Sequence, residues 1–223
     1  NFWGGRDDSN AYPTKSKVAE GASKLKPGLA VIDIEVWDDN ENAQDEAARK
    51  YVKLVGDIKE LRKDVQAGFY GVVPKRNYYG AIAGTGSSER KKWVKSNDTM
   101  KGVADAADVI LPSLYTFYPD PARWTVFAEN QLKEARRLSD NKPVIAFIWP
   151  RYHESNRVLG GNYIGKRFFI SQLDFLSKSA DGVIVWDKSD NCILSEAWRK
   201  ELDLFAACRS SDPSASCSDD SVD

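Results

Sequence analysis

The sequence is poor in histidine, in cysteine and in long apolar runs, and each shortage argues against a class of function. His153 is the only histidine, which disfavours His-based catalytic triads and His-rich metal sites. No apolar run approaches the roughly 20 residues that span a bilayer. The 32 basic residues balance 33 acidic ones, so no global field attracts polyanions. We therefore predict a protein that binds neither nucleic acid nor membranes and uses no metal and no cofactor.

The few cysteines lie at one end of the chain. Cys192, Cys208 and Cys217 are an odd number, so at least one thiol is free or bonded to another chain. The sequence Asn-Asp-Thr at 97–99 matches the acceptor pattern for N-glycosylation. These features favour a secreted glycoprotein. Because the chain begins with Asn1 rather than Met, we expect that an upstream segment has been removed or omitted.

Apolar patterning predicts an α/β fold. Short runs rich in Val and Ile predict strands covered on both faces, as in a parallel sheet, at 30–37, 67–73, 108–115, 143–149 and 181–187. Helical spacing predicts helices at 15–25, 44–66, 121–138 and 166–179. Alternation of strand and helix is typical of a barrel or a doubly wound sheet. Five strands do not close an ordinary barrel, so either the sheet is open or strands are missing upstream.

The first predicted strand carries two carboxylates, Asp33 and Glu35, at positions i and i+2. Side chains at this spacing share one face of a strand. Two like charges that close should raise the pKa of one carboxyl, which a general acid requires. Catalytic residues of parallel α/β folds also lie at the carboxyl ends of strands. The alternative is that the strand ends there and its carboxylates reach water or cap the next helix.

Three later strands end in aromatic side chains: "GFYG" in Tyr70, "PSLYTFY" in Tyr115 and "GVIVWD" in Trp186. Each ring alone is as readily a core or rim residue. In chain order, however, "GLAVIDIEVW", "GFYG", "ILPSLY" and "ADGVIVW" resemble four motifs of the hyaluronidase family. The resemblance covers residues 28–192.

The resemblance implies a fold and an activity. The fold would be a TIM-like distorted (β/α) barrel over 1–209, followed by a disordered acidic, Ser-rich tail over 210–223. The first two strands of the family's barrel have no counterpart, so we expect an incomplete barrel with those strands missing from this chain. They were trimmed, are supplied by another chain, or were lost in evolution. The activity would be retaining, substrate-assisted cleavage of N-acetylhexosamine-containing polysaccharide such as hyaluronan or chondroitin.

The resemblance also implies a role for each candidate residue. Glu35 would be the general acid, and Asp33 would hold the substrate's acetamido group and tune Glu35. The acetamido carbonyl would itself be the nucleophile, so no second enzyme carboxylate is needed. Tyr70 and Tyr115 would orient the acetamido group, and Trp186 would form a wall of the sugar site.

Another implication of the resemblance concerns Cys192, which is similar to a family cysteine whose partner lies in the missing first strand. It implies a disulfide-linked or complementing partner chain. The alternative function is a non-catalytic carbohydrate-binding or structural subunit derived from such a barrel, because missing strands leave sheet edges that invite pairing.

Several charged residues follow predicted strand ends. Lys75, Arg76 and Arg151 either contact a uronic carboxylate or, as is more common for such residues, are solvated surface charges. His153 is expected to face solvent. The acidic cluster is interpreted as an exposed helix start rather than a Ca²⁺ site. Its members are Asp38, Asp39, Glu41, Asp45 and Glu46.

Overall fold

The computed structural model describes residues 11–37, 43–188, 192–211 and 217, except for the side chains of 192–195. The strands are β1 (Gly28–Ile32), β2 (Val65–Phe69), β3 (Ile145–Ile148) and β4 (Gly182–Val185). The helices are α1 (Lys15–Ser23), α2 (Gln44–Leu61), α3 (Tyr78–Ile82), α4 (Ser88–Thr99), α5 (Lys101–Ala106), α6 (Pro121–Ser139), α7 (Lys166–Ser179) and α8 (Cys192–Ser211). Within these ranges, no helix combines the length and apolarity that a membrane crossing requires.

The chain divides into two compact units. Unit 1 comprises Asn1–Pro112 and Gln131–Val144, and unit 2 comprises Ser113–Asn130 and Ile145–Asp223. The single domain expected over 1–209 stays a prediction, as does the disordered tail. The helix α8 runs past the expected boundary to Ser211, and Cys217 forms a disulfide with Cys208.

In unit 1, β1 and β2 pair in parallel, with Gly28 opposite Val65 and Ile32 opposite Phe69. Beyond them, isolated parallel bridges join Tyr70 to Leu111 and Ile110 to Val144. The predicted strand over 108–115 thus pairs through single bridges rather than as a regular strand. Gly68 permits this approach of backbones, because a Cβ there would lie 2.5 Å from the carbonyl oxygen of Val109.

The exposed face of β1 corrects one sequence prediction. The strand was expected to be covered on both faces over 30–37, yet it ends at Ile32. Ala30 and Ile32 are buried, whereas Leu29 is 41% and Val31 36% exposed. Among the described residues, β1 pairs with β2 alone, so one face and one edge of this strand lack the cover that a central parallel strand receives.

Helix α2 differs from its prediction in its end and in its buried face. It ends at Leu61 rather than at 66, because Val65 already begins β2. Val52 and Leu61, two of the apolar residues whose helical spacing predicts this helix, are 38% and 53% exposed. The buried face is instead formed by Gln44, Ala47, Tyr51, Leu54, Val55 and Ile58.

The contacts of Tyr51 explain why α2 buries this face rather than the face that carries Val52. Its ring packs edge-on against Trp37 and Phe69, at 4.7 and 4.9 Å between ring centroids. Its hydroxyl donates a hydrogen bond of 2.9 Å to the carbonyl oxygen of Ile34. A buried tyrosine with a satisfied hydroxyl contributes more apolar burial than the valine beside it.

In unit 2, β3 and β4 pair in parallel, with Ile145 opposite Gly182 and Ile148 opposite Val185. Isolated parallel bridges join Ser113 to Phe147 and Thr116 to Tyr152. Helix α7 covers this sheet with a buried face that includes Phe169, Leu173 and Leu176. The predicted α/β class with parallel strands is confirmed in both units. Neither unit closes a barrel by itself, and the absence of two upstream strands stays a prediction.

Candidate functional site

A cleft of about 240 Å³ opens in unit 1, where the chain leaves β1 and β2. Its lining includes Ile34, Glu35, Tyr51, Tyr70, Lys75 and Arg76. Two of the residues that the sequence singled out, Glu35 and Tyr70, therefore share one cleft. Both follow the carboxyl ends of parallel strands, which is where sites form in such folds.

Alternation of side chains turns Asp33 and Glu35 outward. Ile32 and Ile34 are only 2% and 3% exposed, and the hydrogen bond from Tyr51 fixes the carbonyl of Ile34. Asp33 and Glu35, which alternate with them, are exposed, and the alternation ends after Glu35, where Val36 is exposed and Trp37 is buried. Of these two, Glu35 lines the cleft.

The turn after β2 positions Tyr70. Its backbone amide donates to the carbonyl oxygen of Ile32 at 3.0 Å, which extends the pairing of β1 and β2 by one residue. Gly71 then has a φ of 65°, a left-handed conformation that favours glycine, and its amide donates to Leu111 at 2.9 Å. The two glycines of "GFYG" thus permit the backbone geometry on either side of Tyr70: Gly68 allows a close approach of Val109, and Gly71 adopts a positive φ.

The structure raises the pKa of Asp33, and the neighbouring carboxyl of Glu35 is one of the causes. Desolvation by the surrounding protein raises the pKa of Asp33, and repulsion by Glu35 raises this pKa further. The guanidinium of Arg76 opposes the shift by favouring the charged form. The raised pKa expected of a close carboxylate pair therefore belongs to Asp33, the residue to which the resemblance assigns substrate positioning.

Two basic residues complete the wall of the cleft. Arg76 donates from Nη1 to the hydroxyl of Tyr70 at 3.2 Å, and both Lys75 and Arg76 are half-buried. Both residues line the cleft and keep part of their surface in solvent, so contact with a uronic carboxylate and a solvated surface charge both stay predictions. The sequence indicated that these two residues could lie near the site, because they follow the end of the predicted strand over 67–73.

Unit 2 holds an aromatic cluster formed by Tyr115, Trp149 and Trp186. Trp149 packs against Tyr115 and Trp186, with centroids 5.5 and 5.3 Å apart, and Tyr115 stacks on Trp186 at 6.3 Å. Tyr115 and Trp149 are buried, whereas Trp186 is 41% exposed. His153 packs against Tyr115 at 6.3 Å and is half-buried, so its expected exposure is only partial. The buried rings of Tyr115 and Trp149 thus support the ring of Trp186, which faces solvent.

A buried carboxylate anchors the aromatic cluster. Asp187 accepts hydrogen bonds from Nε of Arg151 at 2.7 Å, Nε1 of Trp149 at 3.0 Å, Nε1 of Trp198 at 2.8 Å and the hydroxyl of Tyr163 at 2.9 Å. Burial opposes ionisation, but these four donors outweigh it and hold the pKa of Asp187 below its usual value. Arg151 is only 9% exposed, so its interpretation as a solvated charge is wrong.

The five candidate residues divide between the units. Asp33, Glu35 and Tyr70 belong to unit 1, and Tyr115 and Trp186 belong to unit 2. Trp149 and Asp187 join the candidates, although no sequence pattern assigned a role to Trp149. The pairing of Trp149 with Asp187 spans 38 positions, which no local pattern signals.

The predicted glycosylation site is buried. Asn97 is 0% exposed, its Oδ1 accepts from the amide of Lys75 at 2.9 Å, and its Nδ2 donates to Glu134 at 3.0 Å. A glycan on this nitrogen would break the contact with Glu134 and has no path to solvent. Glycosylation at Asn97 is therefore inconsistent with the structure.

The remaining predictions concern cysteines and metals. Cys208 and Cys217 are paired, whereas the side chain of Cys192 lies outside the described residues, as do Asp38, Asp39 and Glu41. Asp45 and Glu46 lie in the first turn of α2, as interpreted, and Glu46 pairs with Lys50 at 2.8 Å. In the part of the chain that the structure describes, no three His, Cys, Asp or Glu side chains are grouped to hold a metal ion.

A scan against protein-family models gives no match, and a search of curated proteins gives none either. Among solved structures, a monoclinic crystal form of bee venom hyaluronidase has a TM-score of 0.60 and 19% identity, covering 81% of this chain and 71% of that chain. Bee venom hyaluronidase in complex with a hyaluronic acid tetramer has a TM-score of 0.60 and 18% identity, covering 81% and 69%. The chain therefore has a hyaluronidase-like fold.

Proposed function

We propose that this protein is a secreted, hyaluronidase-like glycoside hydrolase that cleaves N-acetylhexosamine-containing polysaccharide of the hyaluronan or chondroitin class. The observation that carries the proposal is the cleft in which Glu35 and Tyr70 meet beside Asp33. The fold shared with bee venom hyaluronidase, which binds a hyaluronic acid tetramer, supports the substrate class. The disulfide between Cys208 and Cys217 supports an oxidising compartment.

The carboxyl pair supplies the proton for bond cleavage. Desolvation and the nearby Glu35 carboxylate raise the pKa of Asp33, so the pair lies in a setting that favours a protonated carboxyl at Asp33. Glu35 is the member that lines the cleft, so it delivers the proton to the glycosidic oxygen as the bond to the anomeric carbon breaks. The leaving sugar departs as a neutral alcohol.

The substrate's own acetamido group completes the first step. Its carbonyl oxygen attacks the anomeric carbon from the opposite face and forms a cyclic oxazolinium ion, so no second enzyme nucleophile is needed. Asp33 accepts a hydrogen bond from the acetamido N–H and stabilises the positive charge that develops there. Tyr70, held by Arg76, orients the same group. Water, activated by the Glu35 carboxylate, then opens the ring with net retention of configuration.

The aromatic cluster of unit 2 suits the binding of a pyranose ring. Trp186 exposes one ring that Tyr115 and Trp149 support from behind. A flat, rigid indole covers the apolar face of a sugar at little cost in side-chain entropy. Trp186 therefore acts as a wall for the polysaccharide.

The release of reducing ends from hyaluronan tests this function. We expect wild-type protein to release them and Glu35→Gln to lose at least about a hundredfold in rate, the size of a general acid contribution. Glu60→Gln is the matched control, because Glu60 is an exposed residue of α2 in the same unit and does not line the cleft. Equal rates for wild type and Glu35→Gln, with both folded, would overturn the proposal.

One observation favours the alternative of a non-catalytic carbohydrate-binding or structural subunit. The open face of β1, with Leu29 and Val31 exposed, is a surface on which a further strand or chain could pack. On this alternative the protein binds polysaccharide as an oligomer and releases no reducing ends. An active monomer, shown by light scattering together with the same assay, excludes it.

A further inference from the structure

Arg76, in the turn after β2, acts on two residues of the candidate site. Its Nη1 donates to the hydroxyl of Tyr70 at 3.2 Å, and its positive charge favours the ionised form of Asp33. It also lines the cleft together with Glu35. One side chain therefore links the carboxylates that follow β1 to the tyrosine that follows β2.

The core of unit 1 fixes the backbone on both sides of Arg76. Before it, the amide of Lys75 donates to Oδ1 of Asn97 at 2.9 Å, and the carbonyl oxygen of Lys75 accepts from Nε1 of Trp93 at 2.8 Å. Both partners are at most 1% exposed. After it, the side chain of Asn77 caps the first turn of α3. Buried polar groups satisfied in this way hold a backbone rigidly, so the place of Arg76 follows from the core.

The hydrogen bond between Arg76 and Tyr70 has a fixed direction. A guanidinium only donates, so the hydroxyl of Tyr70 is the acceptor in this contact. The hydrogen of that hydroxyl is then donated to a different oxygen. A tyrosine held in this way suits the orientation of an acetamido carbonyl, which is an acceptor.

The charge of Arg76 bears on the role proposed for Asp33. That role needs a carboxylate, which accepts from the acetamido N–H and stabilises the positive charge of the oxazolinium ion. Desolvation, and then repulsion by Glu35 in the same segment, favour the protonated form instead, and Arg76 acts against both. The guanidinium thus supports the form of Asp33 that the mechanism uses.

We propose that Arg76 is a positioning residue, which holds the hydroxyl of Tyr70 and balances the charge of Asp33 so that both groups meet one acetamido group. The inference rests on the proposed function and adds a residue to which the resemblance assigns no role. On this proposal Arg76 acts through its two neighbours and does not itself bind a uronic carboxylate of the polysaccharide.

Steady-state kinetics on hyaluronan oligosaccharides tests the proposal. Arg76→Gln should lower kcat roughly tenfold, the size expected for a lost hydrogen bond from a charged donor, and change KM by less than about twofold. Arg49→Gln is the matched control, because Arg49 is an exposed residue of α2 that does not line the cleft. It should leave both constants unchanged.

The pH profile separates the charge of Arg76 from its hydrogen bond. Removal of the charge raises the pKa of Asp33 further, so the acid limb of kcat/KM should move to higher pH in Arg76→Gln. Arg76→Lys keeps a charge but loses the planar donor, so its acid limb should stay close to that of wild type while kcat still falls. Carbon-13 NMR of the Asp33 carboxyl follows the same shift without any substrate.

A double-mutant cycle with Tyr70→Phe separates the proposal from direct contact with substrate. If Arg76 acts partly through Tyr70, Arg76→Gln should lower kcat less in the Tyr70→Phe background than in wild type. A contact with a uronic carboxylate predicts a salt-sensitive rise in KM that is the same in both backgrounds.

That rise in KM would overturn the proposal, and so would an Asp33 carboxyl that titrates identically in wild type and Arg76→Gln. If wild-type protein cleaves hyaluronan while either result holds, the role of Arg76 alone fails. If wild-type protein releases no reducing ends, the proposed function fails and the role of Arg76 fails with it.

Discussion

Arg151 and Asp187 form an ion pair of 2.7 Å in unit 2, with side chains only 11% and 2% exposed. The same carboxylate binds Nε1 of Trp149, whose ring packs against Trp186. A buried charge pair is stable only when its remaining hydrogen-bonding capacity is satisfied, as it is here. Asp187 is thus a positioning residue: it fixes the support of the exposed Trp186 ring.

Asp187→Asn should destabilise the protein by about 3 kcal/mol, because it leaves the Arg151 guanidinium without its counter-charge. Urea unfolding followed by tryptophan fluorescence measures the change. Glu154→Gln is the matched control in unit 2, since it removes only the exposed ion pair with Lys188, whose side chain is 44% exposed, and should leave stability nearly unchanged. Equal effects of the two substitutions would contradict the special role of Asp187.

The effect of Asp187 should also depend on pH. The pKa of this carboxyl is lowered in the folded state, so its contribution is complete above the unfolded value of about 4 and is lost as pH falls through the folded value. The stability of wild type should therefore approach that of Asp187→Asn in acid. A difference that stays constant from neutral to acidic pH would show that charge is not its origin.

Asp33→Asn should change stability in the opposite direction. The folded state raises the pKa of Asp33, so ionisation of this group disfavours folding, and the loss sets in as pH rises through the unfolded value of about 4. The variant should be at least as stable as wild type at neutral pH and should lose this advantage in acid. A clear destabilisation at neutral pH would contradict the desolvation, and the added repulsion by Glu35, that raise the pKa of Asp33.

Local patterns in the sequence predict exposure over a few residues better than they predict packing between segments. The exposure of Asp33 and Glu35 follows from alternation along an extended segment, which continues for three residues beyond the end of β1 at Ile32. The inward turn of Tyr51 instead of Val52 depends on a carbonyl at Ile34 and on rings from other segments. Periodicity of apolar residues does not contain that information.

Long-range pairs were beyond prediction for the same reason. In the sequence, Arg151 is a cation in a loop and Asp187 is an acid at the end of a strand. Only the contact between them shows that both residues stabilise the fold. The acceptor pattern at Asn97 also contains no information about burial, because three consecutive residues do not indicate the contact with Glu134, which is 37 positions away.

Intact-mass measurement of protein expressed through a eukaryotic secretory pathway should show no glycan at Asn97, because this side chain is fully buried. Asn97→Ala should nevertheless cost about 1–3 kcal/mol, since it strands the amide of Lys75 and removes a donor to Glu134. Thr99→Ala destroys the same acceptor pattern but touches only an exposed hydroxyl, so it should leave stability nearly unchanged. A glycan at Asn97, or equal losses from both variants, would contradict the buried role.

If the proposed function holds, Trp186→Ala should weaken the binding of hyaluronan oligosaccharides roughly tenfold, because it removes the exposed ring that the proposal places against a sugar. Stability should change little, since the ring is 41% exposed. Trp186→Phe keeps a flat ring and should retain most of the affinity. An affinity that is the same in Trp186→Ala and wild type would remove Trp186 from the sugar site.

The most direct test of the mechanism is the anomeric configuration of the first product. Proton NMR of wild-type protein acting on a defined hyaluronan oligosaccharide, recorded before mutarotation, follows the new reducing end. We predict that the product retains the configuration of the cleaved bond and that Glu35→Gln forms no product. An inverted product, or a retained product that Glu35→Gln forms at the wild-type rate, would contradict the account.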